Sequence, residues 1–185
     1  MTAVFIEARL CPGDIGQIVA LHAREYARLA GFGVEFEALV ASDLAAFVHR
    51  AHPDSRMWLA RDPTGADDGD LADMPRVVAG SIAIDRSDDP RSAHLRWFLV
   101  DPAHRGVGLG HRLIGNALRY CDENGVEATT LWTFQGLDAA RALYEQHGFT
   151  LVTEKPGARW GRTVVEQRFQ RRAGAGPQAG GDRHR

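Results

Sequence analysis

Residues 105–110 read Arg-Gly-Val-Gly-Leu-Gly and stand between an apolar strand end, Phe98-Leu99-Val100, and a strongly amphipathic segment. Glycines let a backbone approach a ligand closely, and a helix that starts here presents unpaired N–H groups and the positive end of its dipole. Arg105 adds a charge-assisted contact to an anion. The segment therefore predicts a diphosphate-binding turn at the entry to a helix, with a plain helix-entry turn as the non-functional alternative.

Three kinds of phosphate loop compete for this segment. The dinucleotide fingerprint G-x-G-x-x-G needs a third glycine at position 111, which is His111. The P-loop needs a Gly-Lys-Ser/Thr ending, which is absent here. The pattern that remains is Arg-x-x-Gly-x-Gly, filled by Arg105, Gly108 and Gly110. A nucleotide-dependent oxidoreductase is therefore the least favoured function.

A second motif follows about 35 residues downstream. Residues 140–149 read Ala-Arg-Ala-Leu-Tyr-Glu-Gln-His-Gly-Phe, with Tyr144 at the centre. The two segments together resemble the acyl-CoA loop and the A-x-x-x-Y-x-x-x-G-F segment of the GNAT superfamily of N-acyltransferases, over roughly residues 3–169. The resemblance implies the GNAT fold and acetyl-CoA as cosubstrate, with no metal.

A narrower likeness lies in residues 95–102 (LRWFLVDP), 131–133 (LWT), 160–161 with 166–167 (WG and EQ), and the early segments 22–26 (HAREY) and 36–40 (FEALV). These runs resemble the acetyltransferase half of bacterial fused MarR-type regulator/acetyltransferase proteins. A bacterial protein is the corresponding expectation. The likeness covers that half alone, so no DNA-binding role is carried over.

Outward from the glycine segment, the pattern predicts one α/β domain. Residues 109–124 place Leu109, Leu113, Ala117, Leu118 and Cys121 on one helical face. The predicted order is strand (3–9), two helices, three strands, helix, strand, helix and two strands, which implies a mixed, mostly antiparallel sheet with helices on both faces. The domain is expected to span 1–170, with an acidic loop at 62–75 and a disordered tail at 171–185.

Composition narrows the class of protein further. The 185 residues are 44% apolar and 25% charged, and the net charge of −2 argues against nucleic acid as a partner. No apolar run reaches the roughly 20 residues that span a bilayer, and no signal peptide is recognised, so no membrane partner is expected. Cys11 and Cys121 match no metal-ligand spacing and are expected to be reduced thiols in a cytoplasmic protein.

The resemblance assigns cofactor contacts to specific residues. The backbone of Leu99 and Val100 would bind the pantetheine arm as an added strand, and a backbone N–H there would polarise the thioester carbonyl. The residues expected to hold the diphosphate are Arg105, Gly106, Val107, Gly108, Leu109, Gly110 and His111. One position departs from the family, which often has asparagine where this chain has Leu137; Thr133 or a backbone group is the suggested substitute.

Three residues are candidates for proton transfer. By resemblance, Tyr144 is the general acid that protonates the departing CoA thiolate, with packing in the core as its alternative. His94, on the strand before the loop, and Glu25, on the first helix, are candidate bases for the attacking amine. An exposed histidine, a solvated glutamate and a water chain with no dedicated base remain open.

The acceptor site is expected to involve Arg96, Tyr26 and Trp132. Arg96 stands in a strand otherwise built for burial, so it needs an anionic partner. That partner is either a carboxylate of the substrate or an internal one, for which Glu154 and Glu166 are the suggested residues. Tyr26 and Trp132 are candidates for the pocket wall, with core packing as the alternative.

The function that follows is direct transfer of acetyl from acetyl-CoA to a primary amine of a small molecule, with an amino acid or a related metabolite favoured because of Arg96. One alternative is acetylation of a protein N-terminus or lysine. Another, from a different class, is an acyl-CoA sensor without turnover, against which Tyr144 counts. Dimers are common in the resembled family, so a homodimer is an expectation.

Overall fold

The two motifs meet at the centre of a seven-stranded sheet. The computed structural model describes residues 4–63, 77–86 and 89–174, and over these residues the strand order is β1-β2-β3-β4-β5-β7-β6. The strands are β1 (Phe5–Glu7), β2 (Arg56–Asp62), β3 (Val77–Arg86), β4 (Ser92–Val100), β5 (Ala128–Phe134), β6 (Thr150–Gly157) and β7 (Val164–Arg172). The helices are α1 (Asp14–Ala30), α2 (Val34–Arg50), α3 (Leu109–Glu123) and α4 (Asp138–Gln146), with a 3-10 turn at Pro102–His104.

The sheet is mixed and mostly antiparallel, as predicted. Neighbouring strands pair antiparallel throughout, except that β4 and β5 run parallel. A parallel pair needs a crossover connection, and α3 supplies it. The β4–α3–β5 unit therefore places the glycine segment at the carboxyl end of β4, in the middle of the sheet.

Helices cover both faces of the sheet, which confirms the predicted architecture. On one face, α3 buries all five predicted positions against β2–β5, and α4 joins the same cluster through Leu143 and Tyr144. On the other face, α1 and α2 bury Ile18, Leu44 and Phe47 against β2–β4. Fully burying each such side chain stabilises the fold by about 1.5–3 kcal/mol, so the site rests on a rigid frame.

Several predicted boundaries shift. The first strand is shorter than 3–9, and β6 runs past the predicted end at Thr153 and through Pro156, which an edge strand tolerates. β7 extends to Arg172, two residues beyond the predicted domain end, because Arg171 is buried and paired with Asp122 at 2.8 Å. Residues 64–76 of the predicted acidic loop and 175–185 of the predicted tail lie outside the described residues.

Candidate active site

The centre of the sheet opens where β4 and β5 stop pairing. Their parallel register covers only three pairs, from Ser92 with Ala128 to His94 with Thr130, although the strands continue to Val100 and Phe134. Side chains of both unpaired halves line a cavity of about 460 Å³, here called the central cavity. Residues from α1, α2, β3, α4 and the β6–β7 turn complete its wall.

A bulge in β4 shapes one side of the cavity. The register against β3 slips by one residue between Ser81 and Ala83, so β4 carries an extra residue there. Trp97 has φ +46°, a left-handed conformation that is unfavourable for a bulky residue, and its carbonyl accepts a 2.6 Å hydrogen bond from the Ser81 hydroxyl. The bulge changes which side chains of β4 face the cavity, and Phe98 packs 6.0 Å from the ring of Tyr144.

The glycine segment forms the predicted helix entry. Gly106 and Gly108 have φ +79° and +76°, where glycine avoids the strain of a side chain, and neither position is crowded by neighbouring atoms. The first intrahelical bond of α3 runs from Arg112 N to Gly108 O, so the preceding N–H groups of the first turn have no intrahelical acceptor. This is the geometry of an anion site at a helix N-terminus.

Gly110 serves a different purpose from the other two glycines. A Cβ at Gly110 would lie 3.2 Å from Leu143 Cδ2 and 3.7 Å from Phe98 Cζ. The absence of a Cβ at position 110 lets the first turn of α3 approach both α4 and β4. The loop is thereby tied to the two elements that carry Phe98 and Tyr144 on the cavity wall.

Arg105 is oriented by a buried carboxylate. Its terminal nitrogen donates to Glu25 at 2.6 Å and its Nε donates to the carbonyl of Val100 at 3.1 Å. Glu25 is buried and also binds Arg28, and the hydrogen bond from Arg28, together with Arg105, lowers the pKa of Glu25. Glu25 does not line the central cavity. These contacts favour Glu25 as the residue that positions Arg105 over the predicted role as a base.

A second histidine lies beside His111, the last residue predicted for the diphosphate-binding turn. His111 Nδ1 lies 3.2 Å from Nε2 of His147, which follows α4. Partial burial, followed by the neighbouring His111, lowers the pKa of His147. Both rings stand beside the first turn of α3, so His147 joins the loop although no sequence signal pointed to it.

Tyr144 lies on the cavity wall with its hydroxyl free of protein partners. The ring packs 6.0 Å from each of Phe98, Phe149 and Phe169. Burial raises the pKa of Tyr144 well above its ordinary value, so the phenol keeps its proton. Within the described residues its hydroxyl makes no hydrogen bond. The arrangement provides a protonated donor facing a cavity, which a general acid requires.

Tyr26, which the sequence predicts for the acceptor wall, lines the central cavity. It stacks on Phe32 at 6.2 Å and makes edge contacts with Phe36 and Phe134 at 5.2 and 5.7 Å. Burial, followed by the charge of Glu25, raises the pKa of Tyr26 to about 12. Tyr26 is therefore a neutral phenol within an aromatic wall, suited to packing against a substrate rather than to accepting its proton.

Two histidines line the cavity: His94, which the sequence predicts as a candidate base, and His22, which was not predicted. His94 lies 3.0 Å from the Thr130 hydroxyl, and partial burial lowers its pKa, so its imidazole is neutral near pH 7. His22, on α1, is fully enclosed, and burial lowers its pKa to about 4. Its Nδ1 donates to Ile18 O at 2.8 Å and its Nε2 has no partner among the described residues. The sequence signal that could have identified His22 is its position as a polar residue on the apolar face of α1.

Arg96 is already paired within the protein. Its guanidinium binds Asp43 of α2 and, at 3.1 Å, Asp85 of β3. The suggested partners were wrong: Glu166 accepts the backbone N–H of Arg159, and Glu154 accepts from Gln167. Asp43 lies 53 residues before Arg96, and no local pattern connects them. This pairing does not favour Arg96 as a clamp for a substrate carboxylate.

Trp132 and Thr133 of β5 both line the cavity, whereas Leu137 packs into the cluster beneath α1 and α2. The guanidinium of Arg159 lies over the Trp132 ring, 4.0 Å from its centroid. The described residues contain no group of three or more His, Cys, Asp and Glu side chains arranged to hold a metal ion. No helix among them is both long and apolar enough to cross a membrane.

Comparisons with known proteins place this geometry in a family. The family described as Acetyltransferase (GNAT) matches residues 34–149, which is more than half of the chain. The chain belongs to this family of acetyltransferases. The matched residues include β4, the glycine segment, α3 and Tyr144.

Two curated relatives are both named mycothiol acetyltransferase. The one from Propionibacterium freudenreichii subsp. shermanii is 29% identical over 135 residues, 66% of this chain and 42% of the relative. The one from Salinispora arenicola is 29% identical over 149 residues, 74% of this chain and 45% of the relative. The chain thus spans less than half the length of these relatives.

Among solved structures, the fold is similar to that of yncA, described as a putative acetyltransferase from Salmonella typhimurium with its cofactor acetyl-CoA. The TM-score is 0.68 at 19% identity, over 96% of this chain and 99% of that chain. At this identity the likeness concerns the fold. It agrees with the mixed sheet and the flanking helices described above.

Proposed function

We propose that the chain transfers the acetyl group of acetyl-CoA to the primary amine of a small molecule by direct attack. The observation that carries the proposal is that the glycine turn adjoins the central cavity. The first turn of α3 packs against Phe98 of the cavity wall, and beside Phe98 lies Tyr144, whose phenol makes no hydrogen bond to a described residue. The turn is suited to the diphosphate of a CoA thioester. The cavity is suited to the reacting acyl group and the amine.

The gap between β4 and β5 provides a path from the turn to the cavity. Beyond His94 the β5-facing edge of β4 has no partner among the described strands, so its backbone is available to an extended amide-containing chain such as pantetheine. Leu99 and Val100 lie on this stretch. The Val100 carbonyl receives Arg105 Nε but keeps a second lone pair for a ligand amide.

The transfer itself requires three groups. The neutral amine attacks the thioester carbon, a C–N bond forms and the C–S bond breaks. A backbone N–H of β4 near Leu99 stabilises charge on the carbonyl oxygen, and Tyr144 donates its proton to the departing thiolate. The amine loses one proton, for which His94 is the proposed acceptor because its imidazole is neutral and lines the cavity.

The cavity wall supports a small acceptor. Its side chains come from six helices and strands and from the turns between them, and they enclose about 460 Å³, within the range of small-molecule pockets. An aromatic wall of Tyr26, Phe32, Phe36 and Phe134 provides apolar contact for such a ligand. A cytoplasmic location and a homodimeric assembly are predictions that accompany the proposal.

The test is release of CoA thiol from acetyl-CoA across a panel of amino acids, polyamines, aminoglycosides and short peptides. A reaction without amine corrects for the thiols of Cys11 and Cys121. We expect release that depends on a small primary amine and yields equal amounts of acetamide. Release with peptides alone would point to a protein acceptor, and saturable acetyl-CoA binding without release would point to a sensor.

A further inference from the structure

One wall of the central cavity carries an arginine stacked on a tryptophan. The guanidinium of Arg159, in the β6–β7 turn, lies 4.0 Å from the centroid of the Trp132 ring, and both residues line the cavity. A cation above an indole face is held by the ring quadrupole, and the contact fixes the plane of the guanidinium. Arg159 is therefore oriented before any ligand arrives.

A buried carboxylate holds the other end of Arg159. Glu166 is only 4% exposed; it accepts the backbone N–H of Arg159 at 2.9 Å and lies 3.6 Å from its Nε. Gly157 makes room for this carboxylate, since a Cβ there would lie 2.4 Å from Glu166 Oε1. The backbone and Nε are thus anchored, whereas the terminal amino groups have no hydrogen-bond partner within the described part of the chain. The side chain is 45% exposed.

Arg96, the other arginine on the described part of the cavity wall, differs from Arg159 in the partners of its terminal amino groups. Arg96 gives one terminal nitrogen to Asp43 and the other to Asp85, so both of its terminal amino groups are engaged. Asp85 is further neutralised by Arg50. An anion entering the cavity would have to displace two carboxylates from Arg96, but none from the outer edge of Arg159.

The position of the pair suits an acceptor already oriented for transfer. Trp132 and Thr130 are two residues apart on β5 and so lie on the same face of the strand. Thr130 binds His94, the proposed proton acceptor. A ligand that spans from His94 to Trp132 therefore places its amine near the former and its far end beneath Arg159.

We infer that Arg159, stacked on Trp132, binds a carboxylate of the acceptor and so selects amines that carry a compact oxyanion. The inference rests on the proposed function and names the acceptor class within it. The planar fork of the guanidinium matches the two oxygens of a carboxylate. Asp43, Asp85, Arg50 and Arg96 compensate one another, whereas Arg159 meets the single carboxylate of Glu166 through its Nε and keeps its terminal amino groups for the acceptor.

The experiment compares each amino acid acetylated in the panel with its own carboxamide, which keeps the amine and loses the anion. We expect the carboxylate to be preferred about tenfold in kcat/KM by the unaltered protein, in line with a charged hydrogen bond of about 1.5 kcal/mol. In Arg159→Gln the preference disappears through a higher KM for the carboxylate, while the KM for acetyl-CoA stays unchanged. Arg96→Lys, which keeps the positive charge beside Asp43 and Asp85, is expected to retain the preference.

The matched control is Arg162→Gln, because Arg162 lies in the same turn, binds Ala30 O and Gly31 O, and does not line the cavity. A preference that survives in Arg159→Gln, or is lost only in Arg96→Lys, would overturn the inference. Equal rates with carboxylate and carboxamide in the unaltered protein would overturn it as well.

A binding measurement separates this inference from the proposed transfer. Calorimetric titration with N-acetylglycine and N-acetylphenylalanine, each beside its carboxamide, is carried out in the presence of CoA. Carboxylate-selective binding that disappears in Arg159→Gln, with no turnover of any amine, would sustain the anion subsite and contradict the transfer. Turnover with no carboxylate selectivity in either assay would sustain the proposed transfer and contradict the anion subsite.

Discussion

The glycine turn and the central cavity are built in opposite ways. The turn is a continuous run of backbone, 105–111, whose proposed anion-binding groups are the N–H donors at the start of α3. The cavity is made of side chains that six separate elements bring together. A site made from contiguous backbone can be recognised in a sequence because glycine spacing encodes its shape, whereas a site made from converging side chains depends on packing.

Two arginines illustrate the difference. Arg105 and Arg96 were both expected to bind an anionic group. Arg105 is paired with the single carboxylate of Glu25 and keeps 43% of its side chain exposed at the turn. Arg96 is divided between Asp43 and Asp85 in the cavity wall. The surrounding carboxylates, rather than the residue type, therefore determine which guanidinium is available to a ligand.

The largest expected effect concerns the side chain where the two regions meet. Tyr144→Phe removes the phenol that is proposed to protonate the thiolate and should lower kcat on the order of 100-fold, with the affinity for acetyl-CoA unchanged. The check is steady-state thiol release together with calorimetric binding of acetyl-CoA. Tyr120→Phe is the matched control, because Tyr120 is a half-buried tyrosine of α3 that donates to Asp54 O at 3.1 Å and does not line the cavity. Unchanged kcat in Tyr144→Phe would show that Tyr144 serves core packing and not proton transfer.

Next in size is the acid sensitivity that His22 confers on the cavity wall. Burial lowers the pKa of His22 from 6.5 to about 4, so between these two pH values the folded state binds fewer protons than the unfolded state. Stability is therefore lost as the pH falls through this window, by about 2 kcal/mol at pH 5. Urea unfolding at pH 7.5 and pH 5 measures the loss.

The matching variants are His22→Gln, which should lack this part of the pH dependence, and His49→Gln, at the exposed end of α2, which should retain it. The same pH dependence in His22→Gln as in the unaltered protein would show that His22 is not the group responsible.

The backbone character of the turn is tested by Gly108→Ala. A side chain in the left-handed conformation at φ +76° costs about 1–2 kcal/mol, so the turn should relax and misdirect its N–H groups. We expect the Kd for acetyl-CoA to rise about tenfold. Gly115→Ala, in the middle of α3 with no atom near the added Cβ, should leave the Kd unchanged. Equal effects of both changes would mean that the turn does not recognise the ligand through its shape.

The smallest expected effect separates positioning from catalysis at Glu25. Glu25→Gln weakens the contact that fixes Arg105 and should raise the KM for acetyl-CoA about threefold, because a charged hydrogen bond is replaced by a neutral one. The kcat should stay within about twofold across pH 6–9. Glu37→Gln, on the exposed side of α2, is the control. A steep loss of kcat in Glu25→Gln alone would restore Glu25 as the base.

The sequence predicted the parts of the fold that rest on periodicity and local geometry. The buried face of α3 and the helix entry at the glycine segment follow from spacing and residue type. The bulge at Trp97 could not be predicted, since a left-handed tryptophan contradicts local preference and persists only because the surrounding sheet imposes it. The closer resemblance to the acetyltransferase half of MarR-type fusion proteins stays a prediction.

The acceptor site was predicted less well because its contacts are remote in sequence. Arg96 was correctly expected to need an anion, but its partners come from α2 and β3. Arg159 gave no signal of its own, since its orientation depends on Trp132, Glu166 and the missing side chain of Gly157.

The most direct test of the proposed transfer is the reaction of acetyl-CoA with the best primary amine of the panel, run beside the N,N-dimethyl form of the same amine. Direct attack needs an N–H to lose, so we expect one acetamide, identified by mass spectrometry, for each CoA released from the primary amine. The dimethyl form should release none. Equal thiol release from both, or release without acetamide, would contradict an N-acetyltransferase.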